Sequence, residues 1–165
     1  MKLESLHDLY VDELRDLYSA ESQLIKAIPK MAKAASSPEL RDGFEAHWKQ
    51  TQQHATRLEQ ILTKLNANPK GKKCKAMEGL LEEGKEILEE DAEPAVMDAA
   101  LIAAAQKVEH YEIASYGTVC TWAELLGQTH ALRLLEQTLE EEKKTDAKLS
   151  QLAKETINEQ AAELA

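Results

Sequence analysis

Gln106-Lys107-Val108-Glu109-His110-Tyr111-Glu112-Ile113-Ala114-Ser115-Tyr116-Gly117 is the stretch whose reading decides the fold. Its flanks are alanine-rich from Asp98 to Ala105 and apolar from Val119 to Leu126, which continues a helix on both sides. Residues three and four apart return to the same side of a helix. Ile102, Ala105, Glu109, Glu112, Tyr116 and Val119 therefore share one stripe. Two carboxylates interrupt an otherwise apolar face. A buried charge costs several kcal/mol unless something compensates it, so the remaining helices must be searched for the compensation.

Working outward, the first helix is expected from about Ser5 to Lys33, with a stripe of Leu6, Tyr10, Leu14, Leu17, Glu21, Leu24, Ile28 and Met31. Glu21 is its one polar member. Pro29 is expected to kink this helix or loosen its last turn. Ser37 and Pro38 form an N-cap and first-turn pair that restarts the chain as an antiparallel neighbour. The second helix, about Pro38 to Asn66, carries Leu40, Phe44, His47, Thr51, His54, Leu58, Ile61 and Leu65. Three consecutive members of that stripe are polar, and Gln50 lies beside them. A basic loop with Pro69 and Gly71 leads into a shorter amphipathic crossover helix, Lys75 to Glu90. The third long helix then spans about Ala95 to Leu126, with Gly127 as its C-cap. The fourth, about Thr129 to Thr156, has the stripe Leu132, Leu135, Leu139, Glu142, Asp146, Leu149, Ala153 and Thr156, and the tail after Asn158 is expected to fray.

The composition agrees with an all-α bundle. Of 165 residues only 4 are Pro and 6 Gly, while the good helix formers dominate. The length suits a single domain, 1–165. A formal charge of -10, from 30 acids and 20 bases, argues against nucleic acid as a partner. No run approaches the ~18 apolar residues of a membrane span, and the N-terminal residues carry no secretory h-region. With Cys74 and Cys120 far apart and outside any CxxC pair, a cytoplasmic setting is expected.

Glu21, the His47–His54 segment, Glu109 with Glu112, and Glu142 with Asp146 all fall at mid-helix. In an antiparallel bundle the midpoints share a layer, so these groups should converge. Five carboxylates packed together in an apolar layer repel one another, and a pair of divalent cations would neutralise them. Carboxylate and imidazole donors suit Fe and Mn, with Zn as an alternative. Acids and histidines drawn from all four helices are the ligand pattern of di-iron carboxylate bundles. Taken singly, each residue also has an ordinary reading. Glu21 could be a solvated edge residue, His47 or His54 a hydrogen-bonded core histidine, and Glu109 a solvent-facing or supporting acid. Thr51, Tyr111 and Tyr116 read as packing residues or as hydrogen-bond partners of the acids. Glu140 and Glu141 read as plain surface. Trp48, Val119 and Trp122 could contribute to an apolar contact patch.

The runs Asp16-Leu17-Tyr18-Ser19-Ala20-Glu21, Ala100 to Thr118, and Thr138-Leu139-Glu140-Glu141-Glu142-Lys143-Lys144-Thr145-Asp146 resemble the YciE/YciF family of bacterial stress proteins, and the likeness extends over nearly the whole chain. The resemblance implies a ferritin-like four-helix bundle, related to rubrerythrin, with a crossover helix between its second and third helices. It further implies a homodimer and a dinuclear metal site, most simply two Fe ions. Glu21, Glu109, Glu112 and Glu142 match the family's acids. Where relatives often read His-x-x-Glu-Thr, this chain has His47-Trp48-Lys49-Gln50-Thr51, so Gln50 replaces an acid and His54 or Asp146 would have to make up the difference. The expected metal set is thus Glu21, His47, Gln50, His54, Glu109, Glu112, Glu142 and Asp146. The expected activity is ferroxidase or peroxide reduction, with O2 or peroxide as oxidant. The alternative is a stress protein that sequesters metal, or serves structurally as a dimer, without turnover.

Overall fold

The computed structural model describes residues 3–164. Its elements are α1 (Leu6–Ala34), α2 (Pro38–Lys64), α3 (Lys75–Glu89), α4 (Pro94–Leu125), α5 (Thr129–Leu152), a π-helical turn (Ala153–Ile157) and a short α6 (Asn158–Ala162). No strand occurs among the described residues. α1 packs along α2 and α4 along α5, the two pairs close into a four-helix bundle through α1–α4 and α2–α5, and α3 crosses over α1 and α4.

Local chemistry sets the helix ends. The Ser5 hydroxyl accepts from the Asp8 amide and the Ser37 hydroxyl from the Leu40 amide, each satisfying a first-turn donor that the helix itself leaves free. Pro38 occupies the first turn of α2, where its missing N–H costs nothing. The link between α1 and α2 is pinned from across the bundle: the amides of Ser36 and Ser37 both donate to the buried Asp98 carboxylate at 2.8 Å. At the other end, α4 stops in a left-handed residue, Gly127 at φ 67°. The Gln128 amide bonds the Ala123 carbonyl at 2.8 Å and the Gly127 amide the Glu124 carbonyl at 3.0 Å, which is the Schellman pattern. α2 ends in the same way. Asn66 takes φ 54° and the Ala67 amide reaches the Leu62 carbonyl at 2.9 Å, so the helix stops short of the expected Asn66.

α1 continues through Pro29 to Ala34. The fourth long helix does not run unbroken to Thr156. It passes through the π turn, where Ile157 is buried in the core, into α6, so the tail expected to fray is helical over Asn158–Ala162. Val119 is fully buried, while Trp48 and Trp122 lie half-buried against the core; Trp48 donates its indole N–H to the Ile25 carbonyl at 2.9 Å. Val119 is therefore a core residue, while the two tryptophans pack on the core and keep part of their surface exposed.

The apolar interior is divided in two. One half gathers Leu24, Ile28, Met31, Leu40, Phe44, Leu101, Ile102 and Leu149 with Met77 of α3. The other gathers Tyr10, Leu14, Leu17, Leu58, Ile61, Tyr116, Val119 and Leu135. The residues between these halves along every helix are the polar members of the stripes. No helix among the described residues is long and apolar enough to cross a membrane.

Two glycines of this bundle should respond oppositely to alanine. Gly127→Ala forces a side chain into the left-handed region and should cost about 1–2 kcal/mol. Gly117→Ala lies inside α4 with no neighbour within 4 Å of the added Cβ and should stabilise by roughly 0.5–1 kcal/mol. Thermal melting of the two variants measures both signs.

Candidate metal centre

Between the two apolar halves lie Glu21 of α1, His47, Thr51 and His54 of α2, Glu109 and Glu112 of α4, and Thr138 and Glu142 of α5, all buried. The helical repeat places them there. His47 and His54 are two turns apart on one face of α2, and Glu109 and Glu112 are one turn apart on α4. Ligand atoms of His47, Glu109, Glu112 and Glu142 lie within 4.8 Å of one another, as do those of Glu21, His54 and Glu142. Glu142 belongs to both groups and offers one oxygen to each. Its Oε1 lies 2.8 Å from His54 Nδ1, and its Oε2 lies 3.9 Å from His47 Nδ1. Glu109 Oε1 is 3.1 Å from His47 Nε2, and Glu21 Oε1 is 3.5 Å from His54 Nδ1.

These distances are short, yet most of the atoms are not hydrogen-bonded. Among the described residues, the buried side-chain nitrogens and oxygens without a hydrogen-bond partner are Tyr10 Oη, Arg15 Nε, and otherwise atoms of just six residues: Glu21, His47, His54, Glu109, Glu112 and Glu142. Both nitrogens of His47 and both oxygens of Glu112 and Glu142 are in this state. Buried polar atoms are normally paired, because an unpaired one costs about 1–3 kcal/mol. Ligand atoms this close together and without protein partners could share ions placed between them. Such cations would satisfy them together. Four carboxylates carry the charge of two divalent ions, and mixed oxygen and imidazole donors suit Fe(II) or Mn(II). The residues present fit such a centre.

Electrostatics give the same picture. Burial pushes the carboxyl groups of Glu109 and Glu112 well above the ordinary range, and the Glu142 charge adds to it. Burial also raises Glu21, with His54 acting against it. Burial would lift Glu142 too, but the neighbouring His54 and His47 hold it below its usual value. Burial disfavours a charged His54, yet Glu142 and Glu21 bring its pKa up to about 10. Burial depresses His47. The protein alone thus neutralises the layer with one imidazolium and protons on carboxyls, which is an incomplete compensation.

Two supporting contacts hold the layer in place. The Tyr116 hydroxyl donates to Glu21 Oε1. His54 Nε2 donates to Glu141 Oε2 at 2.8 Å, and Arg57 grips both oxygens of Glu141, at 2.7 and 3.1 Å. The Arg57 guanidinium also reaches the Thr138 hydroxyl at 3.0 Å. Glu141 is therefore not plain surface, and its pKa falls to about 2: the Arg57 and His54 bonds outweigh a burial penalty that would raise it. The sequence signal for this chain of contacts was Arg57, three residues after His54 on the α2 face toward α5.

Of the expected ligands, the acid Asp146 falls outside the groups. Asp146, with 21% of its side chain exposed, is bonded by Gln106 Nε2 at 3.1 Å and lies 3.3 Å from His110 Nε2. At 100° per residue it sits roughly 60° round from the centre of the buried α5 face, turned toward α4. The three-four rhythm read it as inward because it follows Glu142 by four. Gln50 is half-buried beside His47 on the wall of a cavity. Of the three residues read as packing or supporting groups, Tyr116 bonds an acid of the layer. Thr51 instead returns its hydroxyl to the His47 carbonyl at 2.9 Å. Tyr111 lies outside the layer, its hydroxyl donating to Asp16 at 2.8 Å and lying 3.0 Å from Cys74 Sγ.

Fold and layer together define a ferritin-like all-α bundle with a buried cluster of carboxylates and imidazoles. The chain belongs to the family described as a domain of unknown function, DUF892, whose model matches residues 5–162. It is 49% identical over 162 residues to protein YciF of Escherichia coli strain K12, covering 98% of both chains. The crystal structure of the E. coli stress protein YciF superposes with a TM-score of 0.90 over 94% of this chain and 98% of that one. YcfI of Rhodopseudomonas palustris, 44% identical, gives 0.87 over 90% of this chain and 95% of its own. A ferritin-like, diiron-carboxylate protein of Bacillus anthracis, at 19% identity, gives 0.69 over 88% and 95%, which is a likeness of fold.

Neighbouring glutamates of α5 should separate cleanly. Glu141→Ala leaves the buried His54 Nε2 and Arg57 without their partner and should cost about 1–3 kcal/mol. Glu140→Ala removes only an exposed pair with Lys143 and should change stability by no more than about 0.5 kcal/mol. Urea denaturation of the two variants decides it.

Proposed function

We propose that the bundle core holds a dinuclear metal centre, with iron as the favoured metal and manganese or zinc as alternatives, and that the protein uses it in oxidant handling under stress. The observation that carries this reading is the set of unpaired buried ligand atoms in six residues from all four long helices. Glu21 and His54 would serve one ion, His47, Glu109 and Glu112 the other, and Glu142 both. When bound, a pair of redox-active ions supplies the electrons that reduce O2 or peroxide.

The chain's own residues fulfil the other requirements of such a site. Glu141 accepts the His54 Nε2–H, and holding the proton on Nε2 would leave Nδ1 as the donor to a metal. Tyr116 orients Glu21 through its hydroxyl. The apolar halves on either side of the layer bury Glu21, His54, Glu112 and Glu142 and strengthen the charge interactions among them. Likeness to a stress protein, and in fold to a diiron-carboxylate protein, supports the same reading.

Metal dependence of stability tests the centre. Protein freed of metal with EDTA and then supplied with Fe(II) under argon, or with Mn(II), should melt higher. At a free metal concentration of a hundred times Kd the gain is about 2.7 kcal/mol, or roughly 5–11 °C for a chain of this size. A melting temperature indifferent to both treatments sinks the reading. Glu112→Met should do two things at once. It should remove the response to metal, and it should raise the melting temperature of the metal-free protein, since two unpaired buried oxygens disappear with it.

Turnover is tested separately, by loading Fe(II) anaerobically and admitting O2 or peroxide. Oxidation faster than that of free Fe(II) establishes a ferroxidase or peroxide-reducing activity. Stoichiometric binding without it leaves a metal-sequestering role.

A further inference from the structure

A cavity of about 170 Å³ opens between α2, α4 and α5 and reaches the candidate centre from outside. Its inner end is formed by His47 and Glu109, both buried. Its walls include Phe44, Ala105 and Leu149, and its exposed rim carries Lys144 and Lys148, one turn apart on α5. His47 has both ring nitrogens unpaired at this end, so the cavity terminates on an unsatisfied polar group. Lys148 reaches over the α2 side of the mouth, its ammonium 3.9 Å from where a Cβ on Gly43 would stand.

The charge pattern is unusual for this molecule. The chain carries a net charge of -10, yet neither rim lysine has a carboxylate within ion-pair distance among the described residues. Glu39, Asp42 and Glu155 share a neighbouring groove with Lys148 without pairing with it. Two free ammonium groups at the mouth disfavour a metal cation as the entering species and favour an anion. Apolar walls disfavour a bare inorganic anion, which would lose its hydration there without donors to replace it. An apolar cavity of about 150 Å³ holds a molecule the size of benzene. Glu109 at the inner end sets the orientation, with the anionic head outward and the apolar body inward.

The geometry points to this cavity as the binding site for a small organic monocarboxylate, its carboxylate paired with Lys144 and Lys148 and its body lying between Phe44, Ala105 and Leu149 against His47. The inference extends the proposed centre, because the occupant would abut two of its ligands. The cavity itself is formed by the protein alone, so it can be tested without metal.

The probes are benzoate, its neutral analogue benzyl alcohol, and inorganic phosphate, added to metal-free full-length protein and followed by backbone amide shifts and calorimetry. Benzoate should shift the amides around Phe44, His47 and Leu149 and bind at least ten-fold more tightly than benzyl alcohol. Phosphate should leave the His47 region unmoved. The double variant K144A/K148A alters only exposed side chains and is expected to fold. It should lose at least ten-fold in benzoate affinity while keeping its affinity for benzyl alcohol. Equal affinity for benzoate and benzyl alcohol, an unchanged double variant, or shifts confined to another face would each overturn the assignment, and so would no binding at all. If metal raises the melting temperature but benzoate fails to bind, the cavity assignment falls and the centre stands. If benzoate binds as stated and metal has no effect, the reverse holds.

Discussion

Four carboxylates and two imidazoles are confined to one layer in the middle of an apolar bundle, and the rest of the structure accommodates that layer. A helical bundle gains stability by packing an unbroken apolar stripe from each helix. Here every long helix gives up its central position to an ionisable residue. The consequence is a core in two halves, each complete in itself, with the layer between them. Glu21 and Glu142 are fully buried, so the cost cannot be relieved by water reaching them from the surface. It can be met by protons, by imidazolium, or by cations. The first two are visible in the upward shifts of Glu109, Glu112 and His54. They leave most of the ligand atoms without a partner in the protein, which is why the layer is a candidate metal centre.

Much of this was legible in the sequence because helical periodicity is a strong signal. Glu21, His47, His54, Glu109, Glu112 and Glu142 each replace an apolar residue in a regular stripe, and equal depth on four helices brings them together. The crossover helix and the caps at Ser37 and Gly127 follow from the same local rules. Asp146 shows where periodicity fails: it is four residues from an inward position, but the buried face of α5 is narrower than the stripe allowed. Glu141 shows the opposite error. It lies off the stripe, next to a core position, and becomes a structural contact only because Arg57 and His54 approach it from α2. Contacts of that kind depend on the pairing and rotation of two helices, which the pattern of one helix does not encode. The π turn after α5 was invisible for a related reason: it departs from the α-helical repeat that the pattern reading assumes.

The supporting contacts are distributed unevenly, and that unevenness separates the two groups of candidate ligands. On the Glu21 and His54 side, protein bonds fix the donors. Tyr116 holds one oxygen of Glu21, and the far nitrogen of His54 is tied through Glu141 to the two-pronged grip of Arg57. A pair buried to this extent and held by charged hydrogen bonds has little freedom to rearrange. On the His47, Glu109 and Glu112 side, nothing equivalent exists. Both nitrogens of His47 and both oxygens of Glu112 are unpaired, and this is the side that meets the cavity. An unanchored donor can change its orientation when an ion arrives, leaves or changes charge, whereas an anchored one resists. The neutral Gln50 lies on the same side and brings no charge to it. The Glu21 and His54 side is therefore the one the protein fixes by itself, and the His47, Glu109 and Glu112 side, next to the cavity, is the adaptable one.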